Sequence, residues 1–116
     1  MTIKRLETGP RMSQVVIHGN TAYLAGVVAD DPKTPVAEQT RQILARIDKL
    51  LAAAGTDKSK LITTNIWLAD ISTFAEMNSV WDKWVSPGNT PARATVQAAL
   101  AAPDYKVEIM VTAALD

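Results

Sequence analysis

The chain has 116 residues, a length typical of one domain with a modest core, and the predicted domain spans 1–116. Its 12 basic and 12 acidic side chains cancel, which argues against nucleic-acid and membrane-surface partners because both attract proteins with a positive field. The absence of cysteine excludes disulfides, thiol nucleophiles and thiolate metal sites. Lys4 and Arg5 precede no apolar run, so neither a signal peptide nor a membrane span is expected. These features predict a cytoplasmic protein.

Short strands are predicted at the start of the chain. Residues 3–6 favour the first strand, and Gly9-Pro10 closes it. Two apolar, β-branched runs, QVVI and AYLAGVV, flank Gly19-Asn20. Because glycine and asparagine tolerate positive φ, this pattern predicts a hairpin.

A long amphipathic helix follows the loop ADDPKTP. Thr34 is the expected N-cap, Pro35 the first helical residue, and Gly55 the end of the helix. Apolar residues recur at helical spacing at Ile43, Ile47, Leu50 and Ala54. One face of this helix is therefore expected to be buried.

LITTNIWL, residues 61–68, is typical of a strand. Thr73 and Glu76 then match a capping box that opens a second helix, and Ser86-Pro87-Gly88-Asn89 ends it. The apolar residues of this helix are Phe74, Met77, Trp81 and Trp84. Their spacing favours a core role for the tryptophans over a stacking platform for a ligand.

The last two strands, 93–99 and 105–114, are close enough in sequence to suggest a hairpin. One register places Arg93 opposite Glu108 on the same face, with Thr95 beside them. A slip of one residue would send the two charges to opposite faces and remove their convergence. From spacing alone, a structural cross-strand ion pair and a functional pair remain equally open.

The predicted order is β-β-β-α-β-α-β-β. Two helices cover one face of a mixed sheet, which is an α+β layer arrangement. The strands LITTNIWL and KVEIMVTAAL are too apolar on both faces for the other side to stay solvated. An oligomer is therefore expected.

Other candidate sites have little support. His18 is the only histidine, and it has no second histidine or nucleophile motif to work with. Asp30 and Asp31 fit a solvated turn better than a cation site, which needs further oxygen ligands. Five glycines form no phosphate-binding loop. No metal and no cofactor are predicted.

The stretches GNTPARATVQAAL and YKVEI resemble the signature region of the RidA (YjgF/UK114) reactive-intermediate deaminase superfamily, and the similarity runs along almost the whole chain. It includes the helix EQTRQILARIDKLLAAAG and the segment FAEMNSVWDKW. The resemblance implies a chorismate-mutase-like fold with helices on one face of the sheet. It also implies a barrel-like homotrimer with a ligand cleft at each subunit interface.

The resemblance also assigns site residues. Arg93 matches the arginine that grips the carboxylate of a 2-imino acid, and Glu108 matches the glutamate that holds the hydrolytic water. Asn78 and Gly26 match a family asparagine and glycine. The chain departs from the archetype at three positions, where Thr95 replaces a cysteine, Ala25 replaces a serine, and Met12 lies near the place of a tyrosine. These departures leave the substrate range open.

The implied reaction is hydrolysis of reactive 2-imino or enamine acids to 2-keto acids and ammonia without a cofactor. Thr95 has two possible roles: its hydroxyl forms a hydrogen bond with the substrate or the water, or the residue is simply a β-branched member of the strand. The alternative function is a non-catalytic trimeric module that binds small carboxylates in the same cleft. A protein-interaction or translation-linked role, attached to the wider family, has no support in these residues.

Overall fold

The computed structural model describes residues 2–116, which form six strands and two α-helices. The strands are β1 (Ile3–Thr8), β2 (Ser13–His18), β3 (Thr21–Leu24), β4 (Leu61–Leu68), β5 (Ala92–Gln97) and β6 (Val107–Ala114). The helices are α1 (Val36–Ala54) and α2 (Phe74–Trp84). No helix within residues 2–116 is long and apolar enough to cross a membrane.

All six strands belong to one mixed sheet in the order β1-β2-β3-β6-β4-β5. The only parallel pair in the described part of the chain is β4 with β5, and the other neighbours are antiparallel. The hairpin of β2 and β3 turns at Gly19 and Asn20, where Gly19 has a φ of 62°. This confirms the turn predicted from the glycine-asparagine pair.

Both helices pack on the same face of the sheet, as predicted for an α+β fold. α1 contacts β2, β3 and β6, and α2 packs beside α1. Strand alternation sends one set of side chains towards the helices. The largest fully buried side chains on this helix-facing side of the sheet are Val15, Ile66, Leu68, Val107 and Ile109. The core therefore lies between the sheet and the helices.

The ends of the helices differ from the sequence expectation. The N-cap of α1 is Pro35 rather than Thr34, and the hydroxyl of Thr34 donates to the carbonyl of Asp31. The carboxylate of Glu76 accepts from the N–H of Ala37, so it caps α1 instead of closing a box with Thr73. A neighbouring helix supplies the acceptor that the local sequence does not. At the other end of α1, Gly55 (φ 90°) is the predicted left-handed cap.

The predicted hairpin between residues 93–99 and 105–114 is wrong. β5 lies parallel to β4 at the edge of the sheet, whereas β6 lies on the other side of β4. The unit β4-α2-β5 forms a crossover, which brings β5 beside β4 in the parallel sense. β6 takes the central position because its alternate residues Val107, Ile109, Val111 and Ala113 are all buried.

Candidate active site

Arg93 lies near the start of edge strand β5, and its side chain points towards α2. Its register partner is Thr64 of β4, a residue of the buried, helix-facing side. Nη1 of Arg93 donates to Oδ1 of Asn78 at 2.8 Å. The guanidinium carbon lies 5.3 Å from the ring centre of Trp81 and 5.7 Å from that of Phe74. One amide and two aromatic rings therefore hold the half-buried arginine in place.

The positive charge of Arg93 is not neutralised within residues 2–116. Its described hydrogen-bond acceptor is a neutral amide, and none of the salt bridges of the described chain includes it. A guanidinium has five donors in a planar fork that matches a carboxylate. The arrangement leaves donors available for an anionic ligand.

Two threonine hydroxyls lie on the helix-facing side of the strands near Arg93. Thr95 lies two residues along β5 on the same face, and Thr64 is the register partner of Arg93. Neither hydroxyl has a hydrogen-bond partner among the described residues, although both oxygen atoms are buried. Sequence reasoning named Thr95 as a candidate and missed Thr64, which it treated only as part of the strand LITTNIWL.

Glu108 lies on the opposite, open face of the sheet. Its neighbours Val107 and Ile109 are fully buried on the helix-facing side, and its register partner across β4 is Trp67. A Cβ atom at Gly26 would overlap Oε2 of Glu108. The missing side chain at Gly26 therefore makes room for the carboxylate.

The predicted residues thus divide into two groups. Arg93, Asn78 and Thr95 form an arginine half-site between β5 and α2. Glu108, Ala25 and Gly26 form a glutamate half-site on the open face, and Ala25 is tied to β2 by its N–H, which donates to the carbonyl of Gln14 at 2.9 Å. Met12 lies in the turn before β2, with 49% of its surface exposed.

The prediction that Arg93 and Glu108 face each other within one chain is therefore wrong. It rested on the hairpin register, and strand β4 intervenes between their two strands. Sequence reasoning also treated Phe74 and Trp81 only as core residues. Their spacing of four and three residues from Asn78 places all three on one side of α2, which was the available signal.

The other residues considered as candidate site residues from the sequence do not belong to either half-site. His18 is exposed at the end of β2. Asp31 accepts from the N–H of Lys33 at 3.0 Å, as expected for a turn. Trp81 is 5% exposed and belongs to the core, as predicted. Within residues 2–116, no three His, Asp or Glu side chains form a group able to hold a metal ion.

The amino-acid sequence matches a known protein family and several of its relatives. A sequence model of the family described as endoribonuclease L-PSP matches residues 2–115. A RutC family protein, YoaB of Escherichia coli, is 47% identical over 115 residues, covering 99% of this chain and 100% of the relative. A 2-iminobutanoate/2-iminopropanoate deaminase of Rattus norvegicus is 34% identical over 103 residues, covering 84% of this chain and 74% of the relative.

A solved structure has nearly the same backbone. It is a member of the YjgF protein family from Neisseria meningitidis, with a TM-score of 0.97 and 45% sequence identity over 100% of this chain and 97% of that one. Sequence and fold agree along the whole described chain. The chain therefore belongs to the endoribonuclease L-PSP family, within the RidA (YjgF) superfamily that its motifs resemble.

Proposed function

We propose that this protein hydrolyses 2-imino acids to 2-keto acids and ammonia, at a site that two copies of the chain build together. The observation that carries this proposal is the Arg93 guanidinium, which is half-buried, braced by two rings and bonded only to the neutral amide of Asn78. The rat relative named for 2-iminobutanoate and 2-iminopropanoate supports this substrate class.

The substrate's carboxylate suits the arginine half-site. A 2-imino acid carries a carboxylate directly beside the electrophilic carbon, so a fork of two parallel N–H···O bonds fixes both the position and the orientation of that carbon. The hydrogen bond from Arg93 to Asn78 holds the guanidinium in one plane. We expect Thr95 to lie within reach of the same carboxylate or of the attacking water.

Glu108 supplies the second element of the chemistry. A protonated imine is electrophilic enough for a water molecule to attack it without a covalent nucleophile. A carboxylate accepts a proton from that water as it attacks, and it later returns a proton to the departing ammonia. No side chain of residues 2–116 bonds to the Glu108 carboxylate, so its oxygens are available for that water.

A second copy is required because Arg93 and Glu108 lie on opposite faces of one sheet. The open face supports such an assembly, since it carries apolar side chains that the helices do not cover. Tyr23 is 47% exposed there, and Val96, the register partner of Trp67, is 50% exposed. Burying this face between copies stabilises an oligomer. A homotrimer closes such an arrangement by bringing the β5 edge of each copy to the glutamate half-site of the next.

The reaction is tested by generating an imine in solution with an amino-acid oxidase while semicarbazide competes for it. We expect the protein to speed keto-acid release, and Arg93→Ala to lower kcat/KM by at least about 100-fold because two charge-assisted bonds are lost. Arg41→Ala, at an exposed arginine of helix α1, is the matched control and should retain full activity. Absence of any acceleration by the unmodified protein would refute the proposed reaction.

The alternative, a module that binds small carboxylates without converting them, also uses Arg93. Glu108→Gln separates the two functions. For an enzyme, this change lowers kcat by about 10²–10⁴-fold, as expected for loss of a general base. Whether the protein is an enzyme or only a binding module, Glu108→Gln should keep or tighten the binding of a keto acid, measured by calorimetry, because the change removes a negative charge from the site.

A further inference from the structure

A cavity of about 510 Å³ opens at the turn between β1 and β2, and its lining includes Arg11, Met12 and Gln14. The turn is closed by a hydrogen bond from the N–H of Gly9 to the carbonyl of Met12, at 2.8 Å. None of the steps of the proposed hydrolysis takes place in this cavity. It is nevertheless large enough for the side chain of a small substrate.

The cavity adjoins the glutamate half-site. The carbonyl of Gln14 accepts from the N–H of Ala25 at 2.9 Å, and the next residue, Gly26, contacts the Glu108 carboxylate. By strand alternation, the side chains of Gln14 and Glu108 lie on the same face, because Val15 and Val107 both point to the helices. Two strand spacings, about 10 Å, separate their backbones.

One positive charge of this cavity is not neutralised. The carboxylate of Glu7, also in the lining, is paired with Arg46 at 3.0 Å. Arg11 takes part in no salt bridge within residues 2–116. Since Met12 and Gln14 carry no charge, the cavity presents a single unpaired guanidinium to whatever enters it.

We propose that Arg11 binds a second carboxylate, so that the preferred substrates are 2-imino dicarboxylic acids. This inference rests on the proposed function, in which Arg93 holds the carboxylate beside the imine and Glu108 holds the water. The variable end of the substrate then extends from the reacting carbon into the cavity at the β1–β2 turn. There, a terminal carboxylate meets the guanidinium of Arg11.

The reaction is the hydrolysis proposed above, on a substrate whose own side chain carries a carboxylate. Water adds its oxygen to the imine carbon, the C–N bond breaks, and nitrogen leaves as ammonia while the carbon becomes a ketone. No electrons are transferred, and the second carboxylate is unchanged. Oxidation of the amino group of an acidic amino acid is the class of reaction that supplies such imines, and dehydration supplies them only where the acidic amino acid carries a β-hydroxyl group.

The test compares two imines on the same protein. 2-Iminoglutarate is generated from glutamate by a flavin oxidase, and 2-iminobutanoate is generated from 2-aminobutanoate, each against competing semicarbazide. We expect kcat/KM to be higher for 2-iminoglutarate, and Arg11→Gln to lower it about tenfold or more for that substrate while changing the 2-iminobutanoate value less than twofold. Arg41→Gln, at an exposed arginine of helix α1, is the matched control and should affect neither substrate.

Binding gives a second readout that does not depend on turnover. Calorimetry should show 2-ketoglutarate binding more tightly than 2-ketobutyrate, with the difference lost in Arg11→Gln and reduced by added salt. An equal effect of Arg11→Gln on both ligands, or no effect on either, would overturn the inference while leaving the proposed reaction intact. Failure of the unmodified protein to hydrolyse any imine would instead overturn the proposed reaction and, with it, the role given to Arg11.

Discussion

Arg93 and Glu108 lie on opposite faces of one sheet, on strands that flank β4 from its two sides. Thr64 of β4 is the register partner of Arg93, and Trp67 of the same strand is the partner of Glu108. Since these two positions are three residues apart along β4, strand alternation sends the two charged side chains to opposite faces. A ligand that contacts both must therefore lie between two copies of the chain.

Mixing two inactive variants tests this arrangement. Arg93→Ala and Glu108→Gln each remove one half-site and should each be inactive alone. In a mixed oligomer, a site between an intact Arg93 from one copy and an intact Glu108 from the next is complete, and random mixing restores about a quarter of the full activity. The measurement is imine hydrolysis after the two variants are unfolded and refolded together. A mixture as inactive as its components would argue against a shared site.

Gly26→Ala tests the contact between Gly26 and the Glu108 carboxylate. The added methyl group would overlap Oε2 of Glu108, which is the flexible end of a side chain, so we expect the fold to persist while the carboxylate moves. A displacement of about 1 Å at a catalytic group lowers kcat by about 10–100-fold. Gly9→Ala, assayed with 2-iminobutanoate, which lacks the second carboxylate proposed to enter the cavity at this turn, is the control because its nearest contact, the carbonyl of Met12 at 3.5 Å, is at ordinary van der Waals distance. Equal kcat values for the two variants would contradict the expectation.

Gln39 should stabilise the fold more than any exposed residue of α1. It is fully buried. Its amide nitrogen lies 2.9–3.1 Å from the carbonyl oxygens of Pro32, Thr34 and Asp104, and its oxygen accepts from the N–H of Lys106 at 3.0 Å. Gln39→Leu leaves the carbonyls of Pro32 and Asp104 and the N–H of Lys106 without this partner, and it should lower the free energy of unfolding by at least about 2 kcal/mol. Gln42→Leu removes a bond from the N–H of Asp31 and a longer one to the Glu38 carboxylate, and it should cost less than half as much free energy in urea denaturation.

Two buried threonines should respond differently to replacement by valine. Thr64 is 1% exposed and its hydroxyl has no partner among residues 2–116, so Thr64→Val should raise the free energy of unfolding by about 1 kcal/mol. The hydroxyl of Thr40 donates to the carbonyl of Val36 at 2.7 Å, so Thr40→Val should lower it or leave it unchanged. Thermal unfolding of both variants measures the difference. A loss of stability in Thr64→Val would show that its hydroxyl is bonded in solution.

The ion pair between Lys33 and Asp104, 2.8 Å long, should make a pH-dependent contribution. The Lys33 ammonium lowers the pKa of Asp104, and the Asp104 carboxylate raises the pKa of Lys33. The contribution of Asp104 is therefore present above the pKa of the unfolded carboxyl, about 4, and is lost as the pH falls through its lower folded value. The stability difference between the unmodified protein and Asp104→Asn should shrink below about pH 4, as measured by chemical denaturation. A difference that stays constant between neutral and acid pH would rule this contribution out.

Much of the fold could be predicted from the sequence because its causes are local. The apolar spacing of Ile43, Ile47 and Leu50 is enough to indicate α1, and Gly19-Asn20 is enough to indicate the turn between β2 and β3. The predicted N-cap of α1 was wrong for a physical reason, since the acceptor for the N–H of Ala37 in its first turn comes from Glu76, 39 residues away. Local patterns contain no information about such a partner.

The sequence by itself singled out Arg93 and Glu108 as the two charged residues that we propose bind a carboxylate and a water. It also determined the two layers of the domain, a sheet and a pair of helices, because the spacing of apolar residues along the chain indicates which segments are strands and which are helices. Only the tertiary structure decided where the two residues lie relative to each other. Strand pairing depends on contacts between distant parts of the chain, and here β6 lies inside the sheet while β5 lies at its edge. Although β5 and β6 follow each other in the sequence, β4 lies between them, and Arg93 and Glu108 therefore lie on opposite faces.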